Sequence, residues 1–301
     1  MFRLSLLASL FAIAYSSNLP TSYSTNQSYE YVLLNAAVFA TDPTQCVARA
    51  TGSTDDWTVV SASGFITCPG TNETCGYLVI RSDALQQFAV VFRGSTGNQI
   101  LDEVLDTFDQ RISFFGGKVQ NYFYNSFADV WPDVQTALSD EATIDYDVVV
   151  TGYSLGGAQA ALCAANIVET GLRTADQIVV WTFGEPRVGN AAFSAQFDDT
   201  FKTVFRVVNK ADMVPHLPPC LAEGFTGCFD SDLGYYHHST EVWYPDGIFN
   251  LTSPYKICTE SPEDPTCSNS LVIGYTFENH VGAEGYFQLD LQAYGEANCQ
   301  S

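Results

Sequence analysis

VVVTGYSLGGAQAALCAA, residues 148–165, decides the fold. A β-branched run stops at Gly152, a serine follows at position 154, and Gly156 and Gly157 open a small-residue stretch suited to a helix. A strand that turns at once into a helix belongs to the alternating order of α/β proteins, whose short apolar strands form a mainly parallel buried sheet. The rest of the chain repeats that order. Residues 87–92 (QFAVVF), 146–151, 178–183, 204–208 and 241–244 read as strands, and 29–39, 125–138, 157–169 and 191–197 as helices. In the second of these helices Phe127, Val130, Trp131, Val134 and Leu138 recur at three- and four-residue spacings, the apolar stripe of an amphipathic helix. Residues 42–76 are polar and cysteine-bearing and read as loop with short strands.

A chain of 301 residues is long enough for one large domain with a full core. Its 46% hydrophobic and 14% aromatic content excludes disordered and fibrous classes. No apolar window of about 18 residues follows the N-terminus, so no transmembrane helix is expected. The opening MFRLSLLASLFAIAYSS has one charge at Arg3, an apolar stretch over 4–13 and an A-x-A pattern at Ala12 and Ala14. It reads as a signal peptide over 1–17, leaving a domain over 18–301 and a secreted protein.

The cysteines fit that compartment. Cys68 and Cys75, Cys220 and Cys228, and Cys258 and Cys267 are close pairs without the C-x-x-C or histidine spacing of a metal site. Disulfides are expected for these three. Cys163, inside a helix, reads as a buried thiol, and elimination leaves Cys46–Cys299 to tie the first helix to the C-terminus. The sequons at Asn26, Asn72 and Asn250 are glycosylation candidates in such a chain. A formal net charge of −22 repels nucleic acid and anionic membranes.

Gly152-Tyr153-Ser154-Leu155-Gly156 is G-x-S-x-G. Between a strand and a helix this is the pattern of a nucleophile elbow, where small residues two places either side make room for a strained serine. An N-capping serine in a glycine-rich turn is the plainer alternative. A phosphate-binding loop would need a following G-K-[ST], which is absent. A serine nucleophile needs a base, and the base an orienting acid, in the chain order Ser, Asp or Glu, His. Asp212 follows the strand at 204–208. His216, flanked by prolines four residues on, reads as structural. His237 and His238 precede a strand, whereas His280 lies in the last loop. Chain position favours His280, with His238 as its rival. For the oxyanion, the backbone N–H of Leu155 is one donor, and the turn FRGS (92–95) can supply a second.

Five segments now fall into one pattern: VVFRGS (90–95), TGYSLGG (151–157), TFGEPRVGN (182–190), ADMVPHLPP (211–219) and HSTEVWY (238–244). In this order they resemble the class 3, fungal-type lipases, a family of the α/β-hydrolase fold that includes feruloyl esterases and phospholipases. The resemblance implies a mainly parallel central sheet flanked by helices, Ser154 as nucleophile, Asp212 as acid, a C-terminal histidine as base and Ser95 in the oxyanion hole. It matches His238 to a non-catalytic histidine, which strengthens His280. Two departures stand out. The family usually has histidine at the position of Tyr153, which is expected to face the interior. Its catalytic histidine is usually followed closely by Tyr-Phe, whereas Tyr286-Phe287 comes here after a longer gap.

Downstream of Ser95, Ile100, Leu101, Val104, Leu105 and Phe108 fall on one helical face, while Asp102, Glu103, Asp106 and Asp109 fall mostly on the other. The resemblance makes this segment a lid that opens on lipid. The implied function is a secreted serine carboxylic-ester hydrolase, foremost a triacylglycerol lipase acting at an oil–water interface without metal or cofactor. A phospholipase A1 or feruloyl-type esterase would share the triad. An inactive lipid-binding protein would have no reason to keep it. Oligomeric state and chain-length preference are not legible.

Overall fold

Four strands have every residue buried, and they set the architecture. The computed structural model describes residues 19–52, 57–68, 74–96, 110–220, 228, 231–271 and 273–300. Its strands are β1 (Thr58–Thr67), β2 (Thr74–Ser82), β3 (Gln87–Phe92), β4 (Arg111–Phe114), β5 (Gly117–Gln120), β6 (Asp147–Tyr153), β7 (Ile178–Phe183), β8 (Val204–Asn209), β9 (Glu241–Tyr244) and β10 (Lys256–Cys258). Eight form one sheet in the order β1-β2-β3-β6-β7-β8-β9-β10, and β4 and β5 make a separate hairpin. From β3 to β9 every neighbour is parallel, while β1, β2 and β10 join antiparallel at the two edges.

Because strand side chains alternate, the apolar runs divide between two cores. Phe88, Val90, Phe92, Val148, Val150 and Val180 point to one face. There they meet α3 (Asn121–Leu138), α4 (Leu155–Glu169) and α5 (Ala191–Thr200). Ala89, Val91, Val149, Val179, Trp181 and Val207 point to the other, against α1 (Thr25–Ala37) and the short α6 (Leu291–Glu296). Burial on both faces explains why these strands read as continuous apolar runs.

The segment over 42–76 departs from its reading as mostly loop. It holds a helix, α2 (Thr44–Thr51), the ten-residue β1 and the start of β2. The strand β1 lies at the sheet edge and slips register between Val59 and Ser61 and between Ser63 and Ile66. Bulges of this kind break the period-two pattern that sequence reading relies on. Cys46 lies in α2, not in the first helix, and is bonded to Cys299. Cys68–Cys75, Cys220–Cys228 and Cys258–Cys267 are also closed, and Cys163 is a buried free thiol. Glu241 lies close to Cys258 and Cys267, but those sulfurs are bonded to each other and offer no thiolate.

Candidate active site

Ser154 sits where β6 meets α4, with φ 59° and ψ −126°. A serine seldom adopts this backbone region, and strained residues of this kind gather at functional sites. The surrounding glycines are what permit it. A Cβ on Gly152 would lie 1.9 Å from the Gly156 carbonyl oxygen, and one on Gly156 would lie 2.1 Å from that of Phe92. The Ser154 N–H donates to the Phe183 carbonyl at 2.9 Å, which fixes the elbow to β7. Leu155 is the first residue of α4. Its N–H therefore has no intrahelical acceptor, and the helix dipole favours negative charge at that end.

Asp212 lies in the turn after β8, its N–H donating to the Asn209 carbonyl at 3.0 Å. Its Oδ1 accepts from the Val214 N–H at 2.9 Å. Its Oδ2 accepts from the Tyr286 hydroxyl at 2.7 Å and lies 2.8 Å from His280 Nδ1. Burial, reinforced by the Asp212 charge, pushes the Tyr286 phenol well above its ordinary range, so it stays a donor. Gly184, at φ +57°, completes the wall: a Cβ there would lie 2.6 Å from His280 Cε1 and 2.9 Å from Asp212 Oδ2.

Ser95, Ser154 and His280 share a cavity of about 160 Å³ whose apolar wall includes Phe39, Tyr153, Phe277 and Leu291. His280 Nε2 and Ser95 Oγ are buried and have no hydrogen-bond partner among the described residues. Buried polar atoms are otherwise almost always paired, so both are suited to meet a substrate. Two residues before Ser95, Arg93 ties the turn to β1 and β2: it reaches the carbonyls of Gly64 and Thr74 and bonds Thr74 Oγ1 at 2.7 Å.

The other histidines lie apart from this cavity's lining. His238 pairs through Nε2 with Glu185 at 2.7 Å and stacks on Phe197 at 4.2 Å between ring centroids. His237 Nε2 is 2.6 Å from the Pro215 carbonyl oxygen. His216 lies against the Tyr275 ring, and burial takes it down to about 3, so it is neutral at working pH. Ile100, Leu101, Val104, Leu105 and Phe108 lie outside the described residues, as does Asn72.

Sequence reasoning missed two tyrosines. Tyr286 served there only as a marker of spacing; its contact with Asp212 spans 74 residues and has no local signal. Tyr153 faces the interior as expected, and from there it also lines the cavity. Its ring stacks on His280 at 4.7 Å, and its hydroxyl donates to the His280 carbonyl at 2.7 Å. The period-two rule gives only the side of the strand, and at this strand end that side is the cavity wall.

A central parallel sheet with a serine elbow at the end of β6 is the α/β-hydrolase fold. Within that fold the chain belongs to the class 3 lipase family, whose model, "Lipase (class 3)", matches residues 89–222. It is 38% identical over 294 residues to "Lipase ZK262.3" of Caenorhabditis elegans, covering 92% of this chain and 83% of that protein. It is 33% identical to a lipase of Rhizopus niveus over 225 residues, 73% of this chain and 52% of that one, so it spans about half of that relative. Among solved structures, a fungal lipase–inhibitor complex superposes with a TM-score of 0.71 at 28% identity, covering 89% of this chain and 96% of that one. Lipase II from Rhizopus niveus gives 0.70 at 26% identity, covering 91% and 97%. The protein is accordingly a carboxylic-ester hydrolase of the lipase kind.

Proposed function

We propose that this protein is a secreted triacylglycerol lipase in which Ser154, His280 and Asp212 form the catalytic triad. The observation that carries the reading is His280 itself: Asp212 holds its Nδ1, and its Nε2, in the cavity that Ser154 lines, has no partner among the described residues. In this mechanism His280 Nε2 takes the proton of Ser154 Oγ as the oxygen attacks the ester carbonyl carbon. The oxyanion is met by the Leu155 N–H and by Ser95. As the tetrahedral intermediate collapses, His280 gives the proton to the departing alcohol. Water then enters by the same base and releases the fatty acid.

Secretion is supported by the signal-like residues 1–17, by four disulfides and by the resemblance to "Secreted mono- and diacylglycerol lipase 1" of Fusarium solani. Of the sequon asparagines, Asn26 and Asn250 are exposed. Asn250 Oδ1 accepts from Thr252 Oγ1 at 2.7 Å. No helix among the described residues is long and apolar enough to cross a membrane. The net charge of −22 sets the protein against nucleic acid and anionic bilayers and leaves an uncharged lipid droplet as the surface approached at least electrostatic cost.

The purified protein is expected to hydrolyse emulsified triolein faster than phosphatidylcholine or a soluble short-chain ester. Preference for phosphatidylcholine would make it a phospholipase, and preference for the soluble ester an esterase. The amphipathic segment with its apolar face over Ile100 to Phe108 adds a second expectation. Each Leu→Ser change removes roughly 1.5–3 kcal/mol of apolar contact with lipid. Leu101→Ser with Leu105→Ser should therefore lower the droplet rate by about tenfold or more and leave soluble-ester hydrolysis near wild type. The rate is measured as substrate passes its solubility limit. A smooth curve with no rise there, in both proteins, would remove the lid from the reading.

A further inference from the structure

Asp212 fixes only one atom of the His280 ring. A single hydrogen bond at Nδ1 does not by itself set the imidazole plane, and a turn about the Nδ1···Oδ2 direction would carry Nε2 away from the serine; Phe277 at 5.4 Å and Tyr286 at 6.3 Å between ring centroids meet the ring tilted or edge-on. We infer that Tyr153 is the positioning residue that prevents it, clamping His280 by its ring face and by its hydroxyl. The inference rests on the triad proposed above.

The two contacts act on different parts of the histidine. The Tyr153 and His280 rings lie 4.7 Å apart at an interplanar angle of 19°, which holds the imidazole plane. The Tyr153 hydroxyl donates to the His280 carbonyl at 2.7 Å, which holds the backbone of the loop that presents the ring. On its other side that loop is tied by Asn209 Nδ2, which donates to the Asn279 carbonyl at 2.8 Å. The base thus hangs between the end of β6 and the end of β8, the strand ends that carry Ser154 and lead to Asp212.

Tyr153 is itself immobilised. It is 7% exposed. The Tyr286 ring meets it edge-on at 5.9 Å and 74°. A Cβ on Gly94 would come within 2.9 Å of its Cδ1, so only glycine leaves the ring its place beside Ser95. Burial, with the charges of Asp212 and Asp290 adding to it, keeps the phenol far above its ordinary range and therefore a donor. The residue before the nucleophile is covalently next to it, so any shift of Ser154 moves the clamp with it. That coupling keeps nucleophile and base in register, and positioning errors of about 1 Å can cost a hundredfold in rate.

Tyr153→Phe keeps the stack and loses the hydroxyl; Tyr153→Leu loses both; His280→Ala is the control for the base. Each is assayed with a soluble short-chain ester and with a p-nitrophenyl alkylphosphonate, which traps Ser154 and counts competent sites, alongside thermal unfolding. The expected result is a fall in kcat per titrated site of about tenfold for Tyr153→Phe and about a hundredfold for Tyr153→Leu. KM should stay unchanged and phosphonylation should slow in parallel. A lowered unfolding temperature with kcat per site intact would make Tyr153 merely structural and overturn the inference. A raised KM with kcat intact would make it a substrate contact, with the same consequence. If His280→Ala keeps its rate, the triad reading has failed, and the clamp with it. If His280→Ala is inactive while both Tyr153 variants turn over normally, only the clamp has failed. Should Tyr153→Leu not fold, Tyr153→Phe decides alone, because it removes one oxygen and no packing.

Discussion

Replacing His280 with alanine lowers turnover by about 10⁴- to 10⁶-fold, the loss expected when one member of a catalytic triad is removed. The protein should stay folded. Asp212 keeps two of its donors, the Val214 N–H and the Tyr286 hydroxyl, so its buried carboxylate is not left bare. His238→Ala is the contrasting experiment. It strips Glu185, a buried carboxylate, of its imidazole partner and leaves it the Thr182 hydroxyl at 2.5 Å. An unpaired buried acid costs stability, so this variant should unfold at lower temperature while its folded molecules turn over at the wild-type rate. The check is kcat per mole of folded protein for both variants, with circular dichroism to show folding. A folded His280→Ala protein with near-normal rate would overturn the assignment, and with it the choice of His280 over His238 made from chain order.

How much of this was legible depended on where the information lies. The elbow is local: strand, glycine, serine and glycine within five residues force one geometry, so Ser154 could be read directly. The strands β3, β6, β7 and β8 were legible because burial on both faces writes itself as a largely apolar run. The edge strand β1 was not, because its bulges and exposed positions erase the pattern. Helix α4 begins at Leu155, two residues before the sequence suggested, since Gly156 and Gly157 are poor helix formers held there by the elbow. The contacts of Tyr153 and Tyr286 were illegible for a different reason. Each joins positions 74 or 127 residues apart, and nothing in the local sequence records where the last loop folds back.

The buried pair Arg187–Glu263 shows the same long-range logic in the scaffold, and Glu263→Gln should destabilise the fold by about 3–5 kcal/mol at neutral pH. Arg187 belongs to the loop that begins at Gly184, the residue packed on His280 and Asp212. Its Nε and one terminal nitrogen meet the two Glu263 oxygens at 2.7 and 2.9 Å, a bidentate pair of side chains only 2% and 1% exposed. Glu263 also accepts from the His237 N–H at 2.9 Å and from Asn269 Nδ2 at 2.7 Å. Without the carboxylate charge, a buried guanidinium is left with one neutral amide oxygen, the Pro218 carbonyl at 3.1 Å and a disulfide sulfur. The sign of the pH dependence follows from the direction of the shift. Burial raises the Glu263 pKa, but Arg187 and the hydrogen bonds outweigh it, so the group ends below its ordinary 4.5. Its stabilisation is therefore complete above pH 4.5 and is lost as pH falls through the lowered folded value. Glutamine cannot ionise, so the stability gap between wild type and variant should be widest near neutrality and close in acid. Glu241 shifts the other way, burial outweighing Arg206 at 3.9 Å, and the charge of Glu263 adds to that rise, so part of the Glu241 shift is relieved in the variant. His237 is driven below its ordinary value by burial and by the charges of Arg206 and Arg187. Urea unfolding of both proteins at about pH 7, 5 and 3 measures the gap. A difference below about 1 kcal/mol, within the range of ordinary point substitutions, or one that does not change with pH, would mean that the pair does not anchor the loop beneath His280.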